Sequence, residues 1–201
     1  MKEIKKIENF TTFTSSVSDG SKVKIVRDDA GNELGFEVSG MVTTFDAANE
    51  NGYVFTKGSY DRFVDDYFVS HSLNVPVCLL HNDTDIRNLC GFVKTMTKTD
   101  SGVEMTAFIP KCAYYYNLIK AQIECGILQG FSNAGGVVSG HYNEEKDELE
   151  ISGFALQHVA LVATPADTTA TFVTNTTFSG FDETKKEEPK KETNDDWRDI
   201  V

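Results

Sequence analysis

The sequence predicts a mainly β fold with a few α-helices, arranged as a closed or nearly closed antiparallel β-barrel. Short apolar segments with strand-like alternation recur along the chain, and turn-forming residues separate them. Two segments have helical periodicity, and both lie between predicted strands. Several strands with two interposed helices are typical of a single domain built around one barrel.

The first half of the chain predicts strands around one short helix. A hairpin is expected over residues 23–38, with DDAGN as its turn, and its second strand continues to Thr44. Apolar residues at helical spacing follow Ser59, the expected N-cap, and predict a helix over 59–68. The apolar segment 75–80 is too short for a helix and predicts a buried strand that ends at His81. A further strand pair is predicted over 89–97 and 103–109.

The second half predicts the clearest helix, over residues 111–125, with Gly126 placed to end it. The apolar residues expected on its buried face are Tyr115, Leu118, Ile119 and Ile123. Strands are predicted over 137–142, 148–151 and 153–162, and an acidic turn joins the first two. Between the helix and these strands lies the glycine-rich stretch GILQGFSNAGG.

Length and composition predict one folded domain with two tails. The chain has 201 residues, of which 40% are hydrophobic, and this is enough for a core. We expect an N-terminal arm at 1–20, a folded domain at 21–180 and a charged, disordered tail at 181–201. Trp197, Ile200 and Val201 are either a short docking motif or incidental apolar residues of that tail.

The charge balance disfavours two classes of partner. Nineteen basic residues against 31 acidic residues give a formal net charge of −12. Nucleic acids and anionic membranes are polyanions, so neither is an expected partner, whereas basic proteins are compatible. The N-terminus lacks the apolar segment of a signal peptide, and no stretch is long enough to span a bilayer. We therefore expect a soluble, intracellular protein.

Three residues form the candidate catalytic site. Small residues surround Ser132 and allow a substrate to approach its hydroxyl, although serines among glycines are more often turns. A serine nucleophile needs a neutral imidazole to accept its proton and a further group to orient that imidazole. His81 ends a buried strand, and His158 lies inside an apolar strand where its ring needs a partner. The alternative is a buried His158 satisfied by backbone and a His81 without a role.

Other polar groups are weaker candidates. His71 and His141 are expected at the surface. Backbone N–H groups of Gly135 or Gly136 could form an oxyanion hole, or these glycines could only permit a bulge or tight turn.

Metal and thiol chemistry are not signalled. The spacing of His81, Asp83 and Asp85 is not a strong ligand signature, so a metal there is disfavoured. The cysteines, at 78, 90, 112 and 125, show no CxxC spacing and are expected to be buried free thiols.

An ordered series of blocks extends over about residues 36–172 of the chain. The blocks are SGMVTTFD, KGSYDRF, VPVCLLH, CGFVKTMTKTDSGVEMTAFI, LIKAQIECGILQGFS and FALQHVALVATPADTTATF. In this order they resemble the prohead (capsid maturation) serine proteases of tailed bacteriophages, a family related in fold to the herpesvirus assemblins.

The resemblance implies a role for each site residue. His81 falls on the general base and Ser132 on the nucleophile. The third position, typically acidic, falls on His158, as in the Ser-His-His arrangement of the assemblins. An imidazole there stabilises an imidazolium less than a carboxylate would, so turnover should be slow. Asn82 stands where relatives often have an acid, and we expect it to affect loop packing only.

The resemblance also implies a function. The chain would be a serine endopeptidase that cleaves scaffold and capsid assembly proteins, and itself, inside the assembling procapsid in the host cytoplasm. Its partners would be the scaffold and major capsid proteins, with the portal and a second copy of the chain as further candidates. No cofactor or metal would be needed. The alternative is a catalytically weak or inactive assembly protein that retains the protease barrel.

Overall fold

The structure is a computed structural model, and it describes residues 21–69 and 74–173. The predicted arm at 1–20, His71 and the predicted tail at 181–201 lie outside the described residues. The boundaries of the predicted domain therefore stay predictions.

Most of the described chain is β-structure. The strands are β1 (Lys24–Arg27), β2 (Glu33–Thr44), β3 (Tyr53–Phe55), β4 (Pro76–Leu79), β5 (Leu89–Lys98), β6 (Gly102–Pro110), β7 (Gly130–Asn143) and β8 (Glu148–Val162). The helices are a π-helix over Arg62–Val69, one turn of 3₁₀-helix over Ile86–Asn88 and the α-helix α1 (Tyr116–Glu124). No helix among the described residues is both long enough and apolar enough to cross a membrane.

The strands form one mixed sheet, in the order β1-β2-β6-β5-β4-β8-β3, with β7 paired to β8. β4 and β3 run parallel to β8, and the remaining pairs are antiparallel. The predicted mainly β fold is confirmed. The predicted closed antiparallel barrel is wrong, because the sheet is mixed and does not close. Thr171 and Phe172 lie between β7 and β2, but each makes an isolated bridge and no continuous ladder forms there.

β8 is paired on both edges. β7 runs along one edge of β8 for its whole length, so β3 and β4 share the other edge. The C-terminal part of β8 therefore lies between β4 and the start of β7. These are the strands that carry, or lead directly into, the three predicted site residues.

One large apolar cluster covers one face of this sheet. Its largest fully buried members include Phe36, Tyr60, Met105, Ile119, Ile123 and Phe131. A second, small cluster on the opposite face consists of Cys78, Ala160 and Val162. Both faces of the C-terminal part of β8 are therefore buried, as expected for a strand with neighbours on both edges.

Helix α1 is shorter than predicted. Residues 111–115 form turns, in which the amide of Ala113 donates to Pro110 O at 2.9 Å, and the helix begins at Tyr116. Its buried residues are Tyr116, Ile119 and Ile123. Leu118, predicted on the buried face, is instead 51% exposed. The predicted end is correct, because Gly126 follows the helix with φ at +79°.

The first helix forms without the predicted cap. It is a π-helix that begins at Arg62, and the buried Ser59 Oγ has no hydrogen-bond partner among the described residues. Ion pairs attach the helix region to β5 instead, since Lys98 Nζ lies 2.8 Å from an Asp61 oxygen and 2.6 Å from an Asp65 oxygen.

Three predictions on the second half of the chain need correction. The stretch around Ser132 is not a glycine loop, because β7 begins at Gly130 rather than at residue 137. The two strands predicted over 148–151 and 153–162 are one strand, β8. Cys78 and Cys90 are buried free thiols as expected, but Cys112 and Cys125 are exposed.

We predict that Gly130→Ala destabilises the fold by about 1–3 kcal/mol, the usual cost of overpacking. A Cβ at Gly130 would lie 1.9 Å from Ala170 O, where the chain after β8 crosses β7. Gly136→Ala, in the same strand, is the matched control, because a Cβ there meets no atom within 4 Å. Its effect should stay within about 0.5 kcal/mol. Urea unfolding measures both, and equal midpoints for the two variants would contradict the prediction.

Candidate active site

Ser132 lies near the start of β7, opposite Ala160 of β8. The next residue, Asn133, faces the core, and its Nδ2 donates to the hydroxyl of the fully buried Tyr60 at 2.9 Å. Successive residues of a strand point to opposite faces, so Ser132 points away from the core. The bond between Asn133 and Tyr60 thus fixes the backbone on which the Ser132 hydroxyl is carried.

Strand β8, which pairs with the strand of Ser132, contains a β-bulge at Gln157. Ala134 pairs with His158, but the next residue of β7, Gly135, pairs with Leu156. Gln157 is therefore the extra residue of a β-bulge in β8.

The bulge changes which residues of β8 face the core. Before it Phe154 and Leu156 belong to the main core, and after it Val159 and Leu161 do. Because side chains alternate with a period of two, an unbulged strand would keep even-numbered residues in the core, and His158 would join them. With the bulge, His158 points to the face that carries Ser132.

His81 reaches this face through a tight turn at the end of β4. Leu80 and His81 both have left-handed backbone conformations, with φ at +50° and +58°. Such a conformation costs about 1–2 kcal/mol per non-glycine residue. Backbone hydrogen bonds hold the turn, from Leu80 N to Leu161 O at 3.1 Å and from Asn82 N to Leu79 O at 2.9 Å. Strain of this kind is concentrated at functional sites.

The structure brings the three predicted residues together. His81 Nε2 lies 2.8 Å from Ser132 Oγ, and His81 Nδ1 lies 3.1 Å from His158 Nε2. The two rings have centroids 5.4 Å apart and are tilted by 53°. His81 is exposed and Ser132 is half-buried, whereas His158 is only 8% exposed. We call these three residues the Ser-His-His cluster.

Hydrogen-bond chemistry fixes one consistent set of protons in this cluster. If His81 Nε2 accepts the proton of Ser132, the neutral His81 ring carries its own proton on Nδ1. That N–H then donates to His158 Nε2, so a neutral His158 carries its proton on Nδ1. The arrangement allows His81 to act as a base toward the hydroxyl while His158 orients it.

The surroundings of His81 keep its ring neutral. Burial removes part of the hydration of His81 and lowers its pKa below the usual value, and the proximity of His158 lowers it further. The carboxylate of Asp83 acts in the opposite direction. The net lowering favours the neutral imidazole that a base must have at neutral pH.

Asp83 is the residue near this cluster that the sequence did not assign. Its Oδ2 lies 3.2 Å from His158 Nδ1, on the side of that ring away from His81. The signal in the sequence was its position two residues after His81, but that spacing suggested only a weak metal site.

Comparisons with known structures bear on the fold. The described fold is similar to that of the bacteriophage T4 capsid assembly protease, gp21, with a TM-score of 0.57 and 17% identity, over 71% of this chain and 92% of that chain. The chain has the fold of a capsid assembly protease. The resemblance to phage capsid maturation proteases is thus confirmed at the level of fold.

More distant comparisons add less. The KSHV protease in complex with a hexapeptide phosphonate inhibitor aligns with a TM-score of 0.40 and 18% identity, over 64% of this chain and 59% of that chain. No protein-family model and no curated protein matches the chain.

The oxyanion-hole candidates lie away from Ser132. Gly135 and Gly136 are three and four residues further along β7, and a strand rises about 3.3 Å per residue, so Gly135 lies about 10 Å along the strand. Gly135 faces a close backbone approach, since a Cβ there would lie 2.1 Å from Ala155 O. The structure does not bring either glycine to the hydroxyl, and their role stays a prediction.

Two further groups can be assigned from their surroundings. Cys78 is buried beneath the Ser-His-His cluster, and burial raises its pKa to about 11, so it is a neutral thiol rather than a competing nucleophile. Asp85 is bound by Arg87, with contacts down to 2.6 Å, and its pKa falls to about 2. Among the described residues, no group of three or more His, Cys, Asp or Glu side chains could hold a metal ion.

We predict that a fluorophosphonate probe labels Ser132 and that labelling slows as acid protonates His81. Because the pKa of His81 is lowered from the free value of about 6.5, the rate at pH 6.5 should exceed half of its plateau at higher pH. His81→Gln should slow labelling by about 10²–10⁴-fold. His141→Gln, at an exposed position of β7, is the control and should label normally. A rate that is already half lost above pH 6.5 would contradict the lowered pKa.

Proposed function

We propose that the chain is a serine endopeptidase that cleaves scaffold and capsid assembly proteins during procapsid maturation. The observation that carries the proposal is the unbroken series of contacts from Ser132 Oγ to His81 Nε2, at 2.8 Å, and from His81 Nδ1 to His158 Nε2, at 3.1 Å. A hydroxyl, a base and a group that orients the base are the three parts that nucleophilic acyl transfer requires.

The proposed reaction follows from these positions. Ser132 Oγ attacks the peptide carbonyl carbon while its proton passes to His81 Nε2. When the tetrahedral intermediate collapses, the C–N bond breaks and His81 returns the proton to the leaving amine. Water then attacks the acyl ester, with His81 taking a proton from it and giving that proton back to Ser132 Oγ. No metal or organic cofactor takes part in these steps.

The location of the site fits a protein substrate. His81 is exposed, and Ser132 beside it is half-buried. Leu80, which precedes His81 in the chain, is 63% exposed and is available for an apolar contact with a substrate. An exposed peptide segment can reach such a site, and a capsid assembly protease with this fold supports scaffold and capsid proteins as the substrates.

A histidine at the third position of the site is compatible with proteolysis inside a procapsid. A second neutral imidazole supports the charged form of His81 less than a carboxylate would, so each cleavage is slow. Confinement of enzyme and substrate in one particle raises the effective concentration of the substrate. An enzyme that cleaves each neighbouring substrate molecule once can tolerate slow turnover. The portal and a second copy of this chain are further candidate substrates on the same grounds.

The second candidate function is a catalytically weak or inactive assembly protein with the same fold. The observation that favours it is His158, whose Nδ1 forms no hydrogen bond with any described residue. An incompletely oriented base would lower the rate at which Ser132 is activated.

Ser132→Ala separates the two functions. We predict that coexpression of this variant with scaffold and capsid proteins leaves both proteins uncleaved, whereas the unmodified chain shortens them. Ser139→Ala is the matched control, because Ser139 lies in the same strand and its Oγ forms a hydrogen bond with Ser152 Oγ at 2.9 Å, away from His81. It should process normally. Mass spectrometry of the products measures the result, and equal processing by Ser132→Ala would reject the protease function.

A further inference from the structure

The far side of the His158 ring is unsatisfied. Its Nδ1 is fully buried and makes no hydrogen bond of good geometry with any described residue, and His158 as a whole is 8% exposed. Leaving a buried polar atom without a partner costs about 1–3 kcal/mol. An acceptor lies within reach, because Asp83 Oδ2 is 3.2 Å away. This distance between the two atoms suits a hydrogen bond.

The loop after β4 presents Asp83 to this ring. The amide of Asn82 donates to Leu79 O at 2.9 Å, which turns the chain back toward β8. Asn82 Oδ1 accepts from Thr84 Oγ1 at 3.2 Å and from the Asp85 amide at 3.4 Å, so Asn82 packs the loop as the sequence suggested. The Asp83 side chain is 48% exposed and has room to rotate, whereas His158 is held in its strand.

We propose that Asp83 is a positioning residue of this site, a carboxylate that accepts the Nδ1 proton of His158 and so orients the base through it. The inference rests on the proposed function of the Ser-His-His cluster. With Asp83 included, the series of hydrogen-bonding groups has four members, which are Ser132, His81, His158 and Asp83.

The direction of the protons supports this role. Ser132 donates to His81, and His81 donates to His158 Nε2, so a neutral His158 has its remaining proton on Nδ1. A carboxylate accepts and cannot donate when ionised, so it fits only at this end of the series. When His81 takes the serine proton, positive charge develops on the paired rings. Asp83 supplies the negative charge that His158 itself lacks.

The charge of Asp83 shifts the pKa values of its neighbours in the directions expected for an anion at this place. His81 is faced by Ser132 from β7, His158 from β8, Cys78 from β4 and Asp83 from its own loop. The charge of Asp83 raises the pKa of His81 against the lowering by burial and by His158. It also adds to the rise that burial causes in the pKa of Cys78. A nearby anion favours an imidazolium and disfavours a thiolate, so a carboxylate at Asp83 acts on both groups in the direction that this role requires.

The neighbouring acid in the same loop provides a matched control. Asp85 is engaged by Arg87, whose Nε lies 3.0 Å from Asp85 Oδ1, and it caps the following 3₁₀ turn. Asp85→Asn changes the net charge by the same amount as Asp83→Asn, two residues away. Asparagine also caps helices as well as aspartate does, so the loop should persist.

The decisive experiment is ¹⁵N NMR of the histidine rings during a pH titration of the full chain. In Asp83→Asn the pKa of His81 should fall below that of the unmodified chain, because the anion that raised it is gone. The signal of the His158 Nδ1 proton should also move or broaden. Asp85→Asn should leave both unchanged. Identical titrations of His81 in the two variants would overturn the inference, whether or not the chain is a protease.

Peptide-cleavage kinetics give the second measurement. Asp83→Asn should lower kcat by about tenfold with little change in KM, the scale expected when the outer partner of a catalytic ring is lost. Asp83→Glu should recover part of the rate, since it restores a carboxylate. A kcat for Asp83→Asn equal to that of Asp85→Asn would contradict the role. Full activity of Ser132→Ala in the same assay would reject the proposed function instead, and the NMR result would still decide the place of Asp83.

Discussion

Backbone hydrogen bonding along both edges of β8 is the constraint on which the site depends. The parallel pairing with β4 ends at Leu79, and His81 follows within two residues. The antiparallel pairing with β7 places Ser132 opposite Ala160. The hydrogen bonds from His81 to Ser132 and to His158 depend on these two ladders, because the three side chains come from the turn after β4, from β7 and from β8. Main-chain hydrogen bonds thus set distances that the short side chains of serine and histidine could not set themselves.

The second face of this strand shows how such a site is supported. Cys78, Ala160 and Val162 form a small cluster that is separate from the main core. Small side chains there leave room for two imidazole rings above the sheet. On the other side of β7 and β8, Asn133 bonds to Tyr60 and Val159 packs into the core. Packing on the core side therefore holds the backbone that carries the Ser132 hydroxyl, while the hydroxyl itself lies on the opposite face of the strand.

The residues of the site could be predicted from the sequence more fully than the strand pairing that brings them together. Residue types and their order were enough to select Ser132, His81 and His158, because few groups can serve as nucleophile or base. The parallel pairing of Cys78 with Ala160 was not predictable, since the two residues lie far apart in the chain and local patterns carry no information on direction. The bulge at Gln157 was also hidden, because an unpaired residue in an apolar strand looks like any other. Asp83 was missed because its partner belongs to another strand.

The bulge has a consequence for how β8 tolerates a change in its length. Deletion of Gln157 would place His158 directly after Leu156 and still opposite Ala134. Strand alternation would then keep the imidazole on the face of Ser132, with Val159 and Leu161 in the core. The deletion would remove the local bend and added twist of the bulge without turning the histidine to the other face. A one-residue deletion between His158 and the end of the strand has no bulge to absorb it, and it would exchange the buried and outward-facing residues that follow.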